Sequence, residues 1–231
     1  MLGVSLDITR RKQSEQRLHE QLRFEALIGD LSARFAGLAD ADAARGIEPG
    51  LRALGDFLSV DRLAVWDIAA DRRAFVVIGS WSGDGVPPVL APIPFESLPA
   101  ISADLLRGES FEFGGVEELP PDGDRVYLEA EGVRSLLVIP ISLGGSWLGA
   151  LSLAMVRRER TWAPALVRRL HLVGEMFGAA LARQRGAAAI AEVRTELFHA
   201  SRLALGLPPV MATGSTCSRC RSISSPMPWT R

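Results

Sequence analysis

The stretch Val193–Ala204, VRTELFHASRLA, sets one histidine, His199, in a charged helical context. The chemistry a histidine offers there is phosphoryl transfer, the imidazole accepting a phosphoryl group from ATP. That reaction needs an acidic neighbour to orient and deprotonate the ring, and a second domain to hold ATP and Mg²⁺. His199 is followed by Ala200, no Asp or Glu occurs after Glu196, and the remaining chain is far shorter than a domain. His199 is therefore expected to be a surface residue of a helix, and no catalytic residue is assigned.

Other constellations are weaker. Cys217 and Cys220 have half the spacing of a zinc site, but no second Cys or His pair follows, so two free thiols and no metal site are expected. Gly144–Gly145 lacks the frame of a phosphate loop and joins two strand-like runs, which makes it a hairpin turn. Asp67, Asp71, Asp84, Glu117 and Glu118 fall in stretches read as turns and loops, where acids are common, so paired-carboxylate chemistry is not expected. His19 and His171 lie in charged helical surroundings and are expected to be solvated.

The elements that would position these residues change period along the chain. Residues 7–23 are charge-rich without Gly or Pro and read as a helix with Asp7 or Thr9 as N-cap. Phe24, Ile28, Leu31, Phe35 and Leu38 continue it as a narrow seam of coiled-coil spacing. After a break at residues 37–42, LRALGDFL (51–58) reads as a second helix. RLAVWDI (62–68) and AFVVIGSW (74–81) flank a polar turn and read as a hairpin. Residues 82–98 read as loop, 98–108 as a short helix ended by Gly108, 110–114 as a short strand, and RVYLEAEG as a helical turn. Residues 134–141 and 146–155 form a second hairpin. A long helix then runs from Trp162 to about Leu205, with Leu166, Leu170, Val173, Phe177, Ala180, Ile190, Val193 and Leu197 on its seam. The class is α+β: an antiparallel sheet with helices on one face. Seams this narrow are covered most simply by the same helix of a second subunit, so a homodimer through Leu166, Leu170, Val173, Phe177 and the N-terminal helix is expected.

The totals fit such a molecule. Hydrophobic content of 48% and charged content of 23% are in the globular range, and a net charge of −1 gives no electrostatic case for nucleic acid or anionic membrane. Both cysteines lie in the tail, which fits a reducing compartment. No stretch is apolar and long enough for a membrane span, and no signal-peptide pattern follows Met1, so a cytoplasmic location is expected.

The segment GVRSLLVIPISLGGSWLGALSLAMVRRERTWAPALVRRLHLVGEMFGAALAR (132–183) resembles the C-terminal half of a GAF domain. The agreement lies in the Gly-x-Arg-Ser entry to an apolar strand, Pro140 near its end, a glycine turn, Leu148–Gly149 opening the last strand, and RTW leading into the exit helix. VDRLAVWDI fits the family's first strand. GVSLDITRRKQSEQRL (3–18) resembles the closing segment of a PAS domain with its linker helix, and VRTELFHASRLA resembles the helix entering the dimerisation domain of sensor histidine kinases. The resulting division is 1–23 (PAS remnant and linker), 24–183 (GAF domain), 184–205 (signalling helix) and 206–231, a Ser- and Pro-rich tail that reads as disordered and out of frame with a parent kinase.

The resemblance implies a signal-input module of a two-component sensor kinase, with an unidentified small molecule held between sheet and loops and a relay through dimeric coiled-coil helices to a phosphorelay. Its implied pocket lining is Trp66, Trp81, Tyr127 and Ile139, although core packing explains the aromatics as well. Bilin-binding members attach their chromophore through a cysteine, and none lies between Met1 and Gly206; haem-binding members use a pocket histidine, and none lies between Leu22 and Leu170. The cyclic-nucleotide pattern is absent too, so no cofactor is assigned. A small-molecule reductase on the same fold, which would want a reactive Cys in the domain, and a sensor for a cyclase or transcriptional output are the alternatives.

Overall fold

The computed structural model describes residues 2–37, 46–69, 71–89, 92–144 and 146–204. The tail with Cys217 and Cys220, and the side chain of His199, lie outside the described residues. Two units are distinguished, Met1–Ala189 and Ile190–Arg231. The first contains a six-stranded sheet; the described part of the second is helical, with Ile190, Val193 and Leu197 exposed.

The strands are β1 (Arg62–Ile68), β2 (Ala74–Ser82), β3 (Ile93–Pro94), β4 (Phe111–Phe113), β5 (Ser135–Leu143) and β6 (Ser146–Met155), in the spatial order β3-β2-β1-β6-β5-β4 with every pair antiparallel. The helices are α1 (Leu2–Gly37), α2 (Ile47–Leu58), α3 (Pro99–Leu106), α4 (Gly123–Ala130) and α5 (Pro164–Ala204). Helix α1 begins at Leu2, so Asp7 and Thr9 are interior residues and not N-caps. The expected hairpins form, the second closed at Gly144, whose φ of 58° is the left-handed turn conformation that glycine adopts without a Cβ clash.

Alternation along the central strands builds two cores. Leu63 and Val65 of β1, Leu137, Ile139 and Ile141 of β5, and Leu151, Leu153 and Met155 of β6 face α1, α2 and α5. Ala64, Trp66, Leu136, Val138, Ala150 and Ala154 face α3 and α4. The expectation of helices gathered on one face is thus met by the three larger helices, while α3 and α4 cover the other.

The seam of α5 is corrected here. Leu170, Val173 and Phe177 are fully buried, and Leu166 packs partly buried beside them, in the core of their own chain. Phe24 and Leu31 of α1 are buried in the same core. The reason is close approach: a Cβ at Gly174 would touch Ile139, and one at Gly178 would lie 3.0 Å from Ile141 Cγ2. Glycines four residues apart lower α5 onto β5, and the sheet covers the stripe that a second subunit was expected to cover.

The residues of the sequence pattern prove to be ties between segments. Ser135, fully buried, donates from Oγ to the Gly114 carbonyl at 2.6 Å and accepts from the Arg160 N–H at 2.7 Å. Arg160 donates from Nη1 to the Leu58 carbonyl at 2.6 Å and lies 5.0 Å over the Trp162 ring, whose Nε1 donates to the Phe113 carbonyl at 3.1 Å. Burial lowers the pKa of Arg160 from its ordinary value, with Arg158 adding to the effect.

Candidate functional site

Between the sheet and the α3–α4 layer lies a cavity of about 60 Å³. Its floor is made by the residues of β1, β5 and β6 that face this side: Arg62, Ala64, Trp66, Leu136, Val138, Ala150, Ser152 and Ala154. Ile101 and Leu105 of α3 and Tyr127 and Leu128 of α4 roof it, and Phe75 of β2 and Ile93 of β3 close one side.

Backbone chemistry fixes the roof. Asp124 of α4 is buried and accepts from the N–H groups of Ala100 and Ile101 at 2.9 and 3.1 Å, which satisfies the open N-terminus of α3. One carboxylate therefore holds both roof helices together. The floor is fixed at Trp66, whose Nε1 donates to Ser152 Oγ at 2.8 Å. Phe75 stands edge-on to Trp66 and packs on Phe95 at 4.6 Å between ring centroids, with Trp147 at 6.2 Å from both phenylalanines.

One cation enters this apolar space, with a carboxylate beside it. Arg62, the first residue of β1, is 5% exposed. Its Nη1 lies 3.5 Å from the Pro87 carbonyl and 3.7 Å from Glu131 Oε2, both long for a hydrogen bond. Burial lowers its pKa from the usual arginine value, and the nearby Glu131 carboxylate and Tyr127 pull it back up. The Tyr127 phenol is pushed up, first by burial and then by Glu131, with Arg62 opposing. Apart from Ser152, which Trp66 engages, the cavity is thus apolar except at one end, where Arg62, Glu131 and Tyr127 meet.

The structure brings together Trp66 and Tyr127 of the four expected lining residues. Trp81 and Ile139 lie on the other face of the sheet. Ile139 sits between Val138 and Pro140 on β5, and simple alternation turns it toward α5. Trp81 is displaced by a bulge: Val65 pairs with Gly79 and Trp66 with Val77, leaving Ile78 without a partner. The extra residue exchanges the faces of β2, so Phe75 and Val77 face the cavity while Trp81 packs on Gly55 of α2. Arg62 was missed, although it stands two and four residues from Ala64 and Trp66 in the strand and so shares their face by period two. His171, expected to be solvated, is half-buried, its Nε2 2.9 Å from Ser110 Oγ.

On the opposite side of β1, Asp67 pairs with Arg185 of α5, and Arg185 Nη2 also donates to the Leu148 carbonyl at 2.7 Å. Among the described residues, no group of three or more His, Cys, Asp or Glu is placed to hold a metal, and no helix is long and apolar enough to cross a membrane.

A family model for the GAF domain matches residues 46–183. The methanogenesis regulatory histidine kinase FilI of Methanothrix harundinacea (strain 6Ac) is 25% identical over 203 residues, which is 84% of this chain and 22% of that protein. The chain therefore spans about a fifth of the length of this relative. Among solved structures, the phycocyanobilin-bound GAF domain from a cyanobacterial phytochrome superposes with a TM-score of 0.61 at 20% identity, covering 70% of this chain and 94% of that one. Free methionine-R-sulfoxide reductase from Neisseria meningitidis, in complex with its substrate, superposes with a TM-score of 0.58 at 13% identity, covering 71% and 91%. These structural likenesses describe the fold.

Proposed function

This chain belongs to the GAF domain family, and from that premise we propose that it is the sensing part of a histidine kinase, in which the cavity beside Trp66 and Tyr127 takes a small molecule and α5 carries the response outward. A signal-sensing role is consistent with the sensor proteins it resembles. The observation that carries the ligand-and-relay reading is the arrangement of β1. Trp66 lines the cavity, and its neighbour Asp67 holds Arg185 of α5 on the other face. A ligand that favours one position of Trp66 would move the attachment point of α5, provided it binds the two positions with different affinity.

The output would lie beyond α5. Exposed Ile190, Val193 and Leu197 have the spacing to pair with a second copy, which supports the proposal of a dimeric relay; its proposed place is the cytoplasm. The reading is tested by native mass spectrometry for a bound small molecule, followed by hydrogen exchange of loaded and stripped protein. Loading should slow exchange in α5 near Arg185 as well as in α3 and α4. Protection confined to α3 and α4 would leave a binding module without a relay.

A further inference from the structure

We infer that the molecule held in this cavity carries a carboxylate on a short apolar body, and that Arg62 is the residue that receives it. The inference rests on the reading of the cavity as a ligand site and adds the chemical class.

A guanidinium carries five N–H donors in a planar fork and stays charged in proteins. Burying it is unfavourable unless the charge is paired and the donors are used. Arg62 is 5% exposed, and among the described contacts only its Nη1 is engaged, at 3.5 Å to the Pro87 carbonyl and 3.7 Å to Glu131. A buried cation with spare donors at the end of an apolar cavity is what a bidentate anion completes.

The surroundings select the anion. Glu131 beside Arg62 disfavours a doubly charged phosphate, for which this end of the cavity supplies one cation. A carboxylate has the single charge and the planar geometry of the fork. Ser152 already accepts from Trp66 Nε1, the rest of the lining, including Phe75, Ile93, Ile101, Leu105 and Leu128, offers apolar contact, and a cavity of about 60 Å³ calls for a small body. Glu131 is partly exposed and can leave Arg62 for water, or stay and accept an ammonium group. Simple acids and α-amino acids therefore share the same anchor and differ in what they need from Glu131.

The test is calorimetry on the full chain with matched sets: 4-methylpentanoate, 4-methylpentanamide and leucine, then the same sets built on butanoate and 3-phenylpropanoate. At least one carboxylate should bind at least about tenfold tighter than its amide. That preference should vanish in Arg62→Gln and survive in part in Arg62→Lys, with both variants checked for native melting. Glu131→Gln should tighten a simple acid and weaken an amino acid, which separates the two sources. Equal binding of acid and amide, or a preference that survives Arg62→Gln, would overturn the carboxylate assignment and leave the cavity as a ligand site. Absence of binding by every member to folded wild-type protein would overturn the assignment as well. The cavity reading then stands or falls on whether other small molecules bind and are lost when Ala150→Phe fills it.

Discussion

Asp67 of β1 and Arg185 of α5 form an ion pair across the edge of the helical core, and Arg185 reaches past it to the Leu148 carbonyl. The preceding residue, Trp66, lies on the other face of the same strand against the cavity. Two consecutive residues thus connect the cavity floor to the exit helix. Both members of the pair are partly exposed, so its contribution to stability is small, about 0–1 kcal/mol. Asp67→Asn should therefore leave the urea midpoint nearly unchanged. It should speed amide exchange in α5 around Arg185, because the local anchor is lost. A large fall in global stability with no local change in α5 would assign the pair to the core and not to a connection.

Gly149 is predicted to be irreplaceable by alanine. A Cβ there would fall inside the van der Waals shell of the Trp66 carbonyl oxygen on the neighbouring strand. Backbone cannot swing away as a side chain can, so Gly149→Ala should cost about 3 kcal/mol, the upper end for overpacking. Equilibrium urea unfolding measures it. Gly85→Ala is the contrast: nothing lies within reach of its Cβ, and its φ of 74° carries only the local backbone cost.

Ser135→Ala should destabilise by about 2–3 kcal/mol, since it strands both the Gly114 carbonyl and the Arg160 N–H in a buried place. The same variant should loosen the chain around Arg160 and Trp162, visible as faster proteolysis before α5. Stability within about 0.5 kcal/mol of wild type would mean that water replaces both partners.

The assembly prediction moves outward along α5. Leu170→Glu and Phe177→Glu bury a charge in the core and should unfold the domain. Ile190→Glu with Leu197→Glu should leave the fold intact, since both residues are exposed. If the chain pairs through this stretch, the double variant alone should run as a monomer by light scattering. A native-like Phe177→Glu would contradict the burial described here.

The order and type of most elements were legible in the sequence because period two and period 3.6 are strong where one face is buried. The RS and RTW positions were legible as a pattern, though what they bond to was not. Two things were hidden. The bulge at Ile78 leaves no composition signal, yet it turns Trp81 from the cavity to α2. Gly174 and Gly178 carry no side chain to count, yet they bring α5 onto β5 and turn an apparent coiled-coil seam into core. Arg62, at the head of an apolar strand, is readable by parity, since it shares one face of β1 with Ala64 and Trp66.

The most direct test of the account is whether the cavity beside Trp66 is where small molecules bind. Saturation-transfer NMR of a fragment collection should be run against wild type, Ala64→Leu and Ala150→Phe, the last two filling the cavity floor, with Gly83→Ala altering the opposite side beside Trp81, where its Cβ has room. Hits on wild type should persist in Gly83→Ala and disappear in both cavity-filled proteins, all three variants keeping native near-UV spectra. Hits that survive in folded Ala64→Leu and Ala150→Phe, or that vanish only in folded Gly83→Ala, would contradict a ligand site beside Trp66.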